Sequence, residues 1–333
     1  MSTYQPPFVI TPLILNQVIE VGELMGHWAA MAGRASPLLR KENRIRTIQA
    51  SLAIEHNSLT TEQVTALMEG KRILAPAKDI QEVRNAILAY EKMSEWKSEK
   101  LSDLLQAHRV LMLGLVDNPG QFRTGNVGVY REKQLIHMAP PASQVFRLMN
   151  DLLGWLKTTE LHPLIAGAVF HYEFEFIHPF ADGNGRMGRL WQTLILREWR
   201  SELAWLPVET LIHYQQDRYY QVLGQCDRQS SCTPFIEFIL ENIISALQEG
   251  LGKSPALSEE MSEEMSEEML PDLLDIEKRI LQILSNHPGR SAKSIADECE
   301  LSARTVERYL KALQLKGKLQ RVGATKGGMW RVI

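Results

Sequence analysis

Apolar residues in the N-terminal part of the chain recur at helical spacing. Ile14, Val18, Val21 and Met25 form one set, and Ile80, Val83, Ile87 and Tyr90 another; each lies on one face of a helix. Ahead of the first, Gln5-Pro6-Pro7 and Pro12 read as an extended opening. Leu59-Thr60-Thr61-Glu62 has the chemistry of a cap and precedes a predicted helix from Gln63 to Glu69. The texture changes between Gly120 and Pro141. Asn118-Pro119-Gly120 signals a turn, β-favouring residues follow around Val127, Val129, Tyr130 and Leu135-Ile136, and Pro140-Pro141 closes the segment. This predicts an exposed hairpin inside a helical domain. Helical spacing resumes over Val145 to Leu156 and Pro163 to Ile177, and again after Gly185.

Near the C-terminus Ser-Glu-Glu-Met repeats three times over residues 258–269. We read it as a solvated acidic linker in preference to a helix with Met on one side. Beyond it, Ile276, Ile280 and Leu284 share a helical face, Ser291 or Ser294 caps a short helix through Cys299, and a third helix runs to about Leu315. Gly317 and Gly327-Gly328 punctuate two short strands, Leu319 to Val322 and Met329 to Val332. That order of elements predicts a winged helix-turn-helix.

The 333 residues suffice for about two domains. A net charge of −3 conceals an asymmetry: from Asp275 to Ile333 there are twelve Lys/Arg against six Asp/Glu, a net of +6, which leaves −9 for the rest. A basic tail module on an acidic body points to different partners for the two parts. Three cysteines, Cys226, Cys232 and Cys299, form no Cys-x-x-Cys pair, which argues against a disulfide framework or zinc cage. With no positive n-region at the start and no apolar run near the ~18 residues of a membrane span, the expectation is a soluble, cytoplasmic protein without a membrane partner.

Candidate chemistry concentrates in His178-Pro179-Phe180-Ala181-Asp182-Gly183-Asn184-Gly185-Arg186-Met187-Gly188-Arg189. Pro179 disfavours helical angles at His178, so the preceding helix is predicted to end there and turn the imidazole into a loop. Gly183, Asn184 and Gly185 permit a tight turn with positive φ, and a helix follows through Leu190, Leu194 and Ile195. Amides at a helix N-terminus with two forked guanidiniums, Arg186 and Arg189, form a polyanion cradle. Asp182 beside it is a hard oxygen ligand suited to Mg²⁺ that bridges phosphates, or a cap for the next helix. Phe180 is read as a buried anchor. A base, a metal ligand and an anion hole in one string describe phosphoryl or nucleotidyl transfer. Gly183-x-Gly185-x-x-Gly188 also fits the dinucleotide fingerprint, and Phe170, Tyr172, Phe174 and Phe176 alternate as a strand would. The intervening residues before the first glycine count against that reading.

The string resembles, position for position, the Fic-family pattern His-x-Phe-x-Asp/Glu-Gly-Asn-Gly-Arg-x-x-Arg. Similarity runs from about Arg44 to Leu247 and includes Gly120-Gln121-Phe122-Arg123-Thr124 and Asp217-Arg218-Tyr219-Tyr220. The resemblance implies a mainly α protein: the helical Fic fold with a β-hairpin flap, plus the small C-terminal winged-helix domain. Residues 1–100 would be an N-terminal helical region, 101–248 the catalytic core, 249–273 the acidic linker and 274–333 the winged helix. It implies a protein adenylyltransferase using ATP and Mg²⁺, with His178 as the base and a Ser, Thr or Tyr hydroxyl of a target protein, or of the chain itself, as acceptor. Asp182 would hold Mg²⁺. The string from Gly183, Asn184, Gly185 and Arg186 through Met187 and Gly188 would meet the phosphates, and Arg189 would grip the γ-phosphate. Val129, Tyr130, Arg131 and Glu132 would form the flap, and Tyr219 and Asp227 the adenine pocket, where relatives usually carry Asn in place of Asp227. Ser51-Leu52-Ala53-Ile54-Glu55-His56-Asn57 resembles the inhibitory motif Ser/Thr-x-x-x-Glu-Gly/Asn, with His56 in place of the usual Gly. It implies that Glu55 occupies Arg189 and holds activity low. A homodimer is also implied.

Other readings stand beside these. The family includes enzymes that remove AMP or use another nucleotide. The chain could instead be an ATP-sensing regulator whose winged helix binds DNA through 274–333, with Arg304, Thr305, Arg308 and Lys311 on the third helix and Arg321 and Lys326 near the wing. Many winged helices bind protein instead.

Overall fold

The computed structural model describes residues 4–32, 37–131 and 134–251, and from the C-terminal part 280–281, 283–285, 287, 290–291, 294–296, 306, 310, 313, 319–322 and 329–332. The chain divides into two compact units, Met1–Lys253 and Ser254–Ile333. Among the described residues no helix is long and apolar enough to cross a membrane.

The first unit is helical, in keeping with the expected fold class. In chain order its helices are α1 (Pro12–Ala32), α2 (Pro37–Ala53), α3 (Thr61–Met68), α4 (Ala77–Lys92), α5 (Leu101–Leu111), α6 (Ala142–Thr158), α7 (Pro163–Ile177), α8 (Asn184–Trp199), α9 (Val208–Tyr214), α10 (Gln216–Gln229) and α11 (Thr233–Gly250). Between α5 and α6, β1 (Gly128–Arg131) and β2 (Gln134–Met138) pair antiparallel with a register shift between Val129 and Tyr130. The predicted cap at Thr60 is a capping box with Gln63, so α3 begins two positions earlier than its apolar spacing suggested.

Helix α7 runs buried from Leu164 through Phe174, which is what an apolar helix in a protein centre must do. The alternating aromatics of 170–176 therefore belong to a helix, and the strand that a dinucleotide site needs is absent there. Helix α8 is buried at Asn184 and from Arg186 through Leu196. Packed against each other, α7 and α8 form the core, and the candidate string is the connection between them.

In the second unit Ile280, Ile283, Leu284, Ile295, Ala296, Val306, Leu310, Leu313, Leu319 and Trp330 share one buried cluster. Strands β3 (Leu319–Val322) and β4 (Met329–Val332) pair antiparallel, with Leu319 opposite Val332, on the residues that the sequence pattern selects. Of the acidic linker expected over 249–273, Glu249 and Gly250 still belong to α11, whereas residues 252–273 and the side chains of Arg304, Thr305, Arg308, Lys311 and Lys326 lie outside the described residues.

Candidate active site

Helix α7 stops at Ile177, and His178 takes left-handed angles, φ 49° and ψ 60°, with its N–H bonded to the Phe174 carbonyl at 2.9 Å. A histidine in that region costs on the order of 1 kcal/mol, so its surroundings must hold it there. Arg123 does so. Its Nε donates to the His178 carbonyl at 2.7 Å and its guanidinium also reaches the carbonyls of Ile177, Pro140 and Gly125, while its backbone N–H bonds to Pro179. One buried side chain thus ties the end of α7 to both sides of the hairpin. The imidazole is 20% exposed, and its Nδ1 faces the Glu175 carboxylate one helical turn back at 4.0 Å.

Phe180 is fully buried and stacks on His108, ring centroids 3.6 Å apart. His108 has a second task. Its Nδ1 accepts the Gly120 N–H at 2.8 Å, so its proton sits on Nε2, which donates to the Asp182 carbonyl at 3.0 Å. Burial holds this imidazole neutral, with its pKa pushed down to about 4. Asn184 pins Phe180 from the other side, bonding its N–H and carbonyl at 2.9 Å each. The expectation of positive φ across the turn is corrected here: Gly183 alone has it, φ 84°, whereas Asn184 and Gly185 already belong to α8. A Cβ on Gly183 would meet Met112 Sδ at 2.6 Å, a second reason for glycine.

Asp182 is half exposed, and its Oδ1 accepts from the Gly183 N–H at 2.6 Å and from Arg186 at 3.0 Å. No side chain caps α8, which leaves its first amides available to an anion. Both arginines of the cradle are already occupied. Arg186, 5% exposed, spans Asp182 and Glu82 of α4, the latter at 3.1 Å. Arg189, 2% exposed, donates Nε to Ser51 Oγ at 3.1 Å, and its NH2 reaches the Ser51 carbonyl at 2.9 Å and Glu55 Oε1 at 2.7 Å. Burial works against charge on Arg189, but Glu55 together with Tyr219 and Glu175 outweighs it and the guanidinium's pKa is raised. A Cβ on Gly185 would collide with Glu55 Oε1, so the carboxylate lies directly over the helix start.

Glu55 follows the end of α2 in a turn where His56 N–H bonds Ala53 and Asn57 N–H bonds Leu52. His56 sits at φ 65°, the left-handed position that favours glycine, which explains why the pattern has Gly there. A cavity of about 130 Å³ is lined by Glu55, His178, Gly185 and Arg189 together with Tyr172, Tyr219, Tyr220 and Asp227. Of the candidates, the structure thus gathers Glu55, His178, Gly185, Arg189, Tyr219 and Asp227 around one cavity. Tyr219 is buried, with its hydroxyl on His171 at 3.2 Å, and Asp227 accepts the Tyr172 hydroxyl at 2.8 Å. Met187 is fully buried on α8, and Gly188 is where a Cβ would strike His171 and Glu175. Val129, Tyr130 and Arg131 lie on β1, and Glu132 lies outside the described residues. Sequence reasoning passed over Arg123, His108, Glu82 and Glu175 as functional residues; of these, Arg123 alone stood in a segment it had singled out.

Comparison with known proteins bears on the same segments. A model of the Fic/DOC family matches residues 98–196, and a winged helix-turn-helix DNA-binding model matches residues 273–320. The chain is 30% identical over 214 residues to "Protein adenylyltransferase Fic" of Nematostella vectensis, covering 60% of this chain and 47% of that one. It is 26% identical over 257 residues to "Protein adenylyltransferase fic-1" of Caenorhabditis elegans, covering 73% and 48%. The chain thus spans about half the length of the curated relatives it matches. Among solved structures, a Fic family protein from Desulfovibrio desulfuricans G20 aligns with a TM-score of 0.73 and 45% identity over 99% of this chain and 98% of that one.

Proposed function

This chain belongs to the Fic/DOC family, and from that premise we propose that it is a protein adenylyltransferase whose Glu55 keeps activity low. Its relatives bear that activity in their names. The observation that carries the reading for this chain is the cavity in which the His178 imidazole, the uncapped start of α8 and an Arg189–Glu55 ion pair of 2.7 Å meet.

The chemistry follows from those positions. Glu175 beside Nδ1 favours a proton there and leaves Nε2 as the basic nitrogen. Nε2 takes the proton of a target Ser, Thr or Tyr hydroxyl as its oxygen attacks the α-phosphate of ATP. AMP passes to that oxygen and pyrophosphate leaves; a base so placed is worth ~10²–10⁴ in rate. The first amides of α8, with Arg186 and Arg189, bind the phosphates. The residues fit Mg²⁺ as well: Asp182 is a half-exposed carboxylate beside the phosphate cradle, the single protein ligand that a phosphate-bound Mg²⁺ commonly uses. Bound there, Mg²⁺ would neutralise charge on the departing phosphates. The cavity of about 130 Å³ is well below the ~300–1,000 Å³ of typical ligand pockets. Glu55 is part of its wall, so ATP enters in productive form when Glu55 leaves Arg189 to a phosphate. Tyr219 and Asp227 then flank the adenine ring, and the open edge of the two-stranded hairpin at Val129–Arg131 takes a target segment as an added strand.

The test is incubation of the full chain with labelled ATP and Mg²⁺. Label on the chain itself should rise at least tenfold in Glu55→Gly and vanish in Glu55→Gly with His178→Ala. A Glu55→Gly chain that binds ATP yet transfers nothing overturns adenylylation and points to AMP removal or another donor. The elution mass of the same sample reads the expected homodimer. A second reading, an ATP-sensing DNA-binding regulator, rests on the matched winged helix and the +6 charge of Asp275 to Ile333. A salt-dependent shift of duplex DNA by the full chain, altered by ATP, would support it.

A further inference from the structure

Glu82 lies outside every motif in the sequence, on α4, and is 5% exposed. Its two oxygens serve two different parts of the site. Oε1 accepts from Arg186 NH1 at 3.1 Å, and Oε2 accepts from Asn57 Nδ2 at 2.8 Å. The orientation of Asn57 is fixed, because its Oδ1 accepts the Leu59 N–H at 3.1 Å and its Nδ2 also reaches the Asp79 carbonyl at 3.2 Å. Asn57 stands two residues beyond Glu55, in the same turn. Arg186, at the other side, donates to Asp182 Oδ1 at 3.0 Å. A continuous chain of contacts therefore runs from the Glu55 turn through Asn57, Glu82 and Arg186 to Asp182.

We propose that Glu82 is a positioning residue: it shares the charge of Arg186 so that Asp182 stays available to a divalent cation, and it fastens that end of the site to the Glu55 turn. The proposal rests on the assignment of Asp182 to the cation given above. Arg186 is a buried cation with two carboxylates within reach, Glu82 and Asp182. A buried charge must be compensated. With Glu82 in place, Arg186 keeps a counter-charge when Asp182 turns to a metal. Without it, Asp182 becomes the whole counter-charge and a cation must compete with Arg186 for it. A neutral glutamine in this place can accept from one of its two donors but not from both, since its second atom is itself a donor.

The experiment uses full-length Glu55→Gly as the reference, with Mn²⁺ as the probe cation. Free Mn²⁺ is followed by its paramagnetic resonance signal during titration with ATP equimolar to the chain, the Mn²⁺ that ATP alone takes up in a parallel titration being subtracted, and transfer of label is read in the same samples. Addition of Glu82→Gln should raise the Mn²⁺ midpoint about tenfold, while affinity for ATP without metal changes less than twofold. Glu82→Asp keeps the charge and should recover at least half of the shift; it also serves should the glutamine variant melt below the assay temperature. An unchanged midpoint in a folded variant overturns the proposal. So does an equal loss of metal-free ATP affinity, the mark of general damage to the core. Failure of the underlying reading looks different. If the reference chain binds no Mn²⁺ with ATP, the assignment of Asp182 falls. If it binds Mn²⁺ normally but transfers no label, the positioning role is still measured and adenylylation is what fails.

Discussion

At the His178 end of the loop between α7 and α8, contacts run almost wholly to backbone: Arg123 to the carbonyls of 177 and 178, His108 to Asp182, and Asn184 to Phe180. At the Arg189 end ion pairs enter, Arg189 with Glu55 beside its two bonds to Ser51, and Arg186 with Glu82 and Asp182. Backbone contacts of the first kind have no competitor in a ligand. Ion pairs of the second kind have an obvious one, because a phosphate offers an arginine the same fork as a carboxylate does. On the proposed function, the base would be held in a fixed place, whereas Glu55 on Arg189 and Asp182 on Arg186 would be the groups that a nucleotide and its metal displace. The fold separates what must stay still from what must exchange.

The largest effect should come from the fixed end. Arg123→Met removes donors from several carbonyls, and buried unsatisfied acceptors cost ~1–3 kcal/mol each. We expect a loss of about 3 kcal/mol, or roughly 6–12 °C in melting temperature. In the Glu55→Gly background, kcat for label transfer should fall at least a hundredfold, with ATP affinity nearly unchanged because the Arg189 end is untouched. Equal losses in kcat and ATP affinity would show that the two ends are not separable.

That contrast also explains what was legible beforehand. The string from His178 to Arg189 announces itself because its glycines, histidine and arginines are compressed into one stretch, and Glu55 because its turn has a recognisable spacing. Leu319–Val322 and Met329–Val332 are bounded by glycines and could be read to the residue. Glu82 and His108 carry no such mark. On their helices they look like an ordinary surface charge and an ordinary histidine, and burial against a distant loop alone gives them a role. Asn184 was legible as part of a phosphate turn, but its side chain serves Phe180. Only the three-dimensional count of donors and acceptors shows that.

A smaller effect separates the ends by pH. Burial pushes the pKa of His108 down to about 4 and that of His171 down to about 3, from an ordinary 6.5. Between those values and 6.5 the unfolded chain takes up protons that the folded chain refuses. Stability therefore falls as pH drops, by ~1.4 kcal/mol per pH unit for each histidine. His108→Gln preserves a donor for Asp182 and an acceptor for Gly120 without titrating. Because burial lowers His162 and His213 as well, urea midpoints at pH 7 and 5 should show the acid slope reduced by less than half in this variant, with transfer at pH 7 kept within a few-fold.

The smallest expected effect tests how the exchangeable end opens. His56 is exposed and holds left-handed angles at the turn beyond Glu55, at a cost of about 1 kcal/mol relative to glycine. His56→Gly should therefore raise stability by up to about 1 kcal/mol. If Glu55 leaves Arg189 because the turn at the end of α2 unravels, a more stable turn opens less often. We expect that route, since Glu55, His56 and Asn57 are joined by consecutive backbone bonds to 52 and 53 and move together. Basal label transfer should then fall about two- to fivefold in His56→Gly, the same free energy read as a population. In the Glu55→Gly background the substitution should change nothing. A rise in melting temperature with unaltered basal transfer would mean that the Glu55 side chain swings off Arg189 by rotation alone, leaving the turn intact.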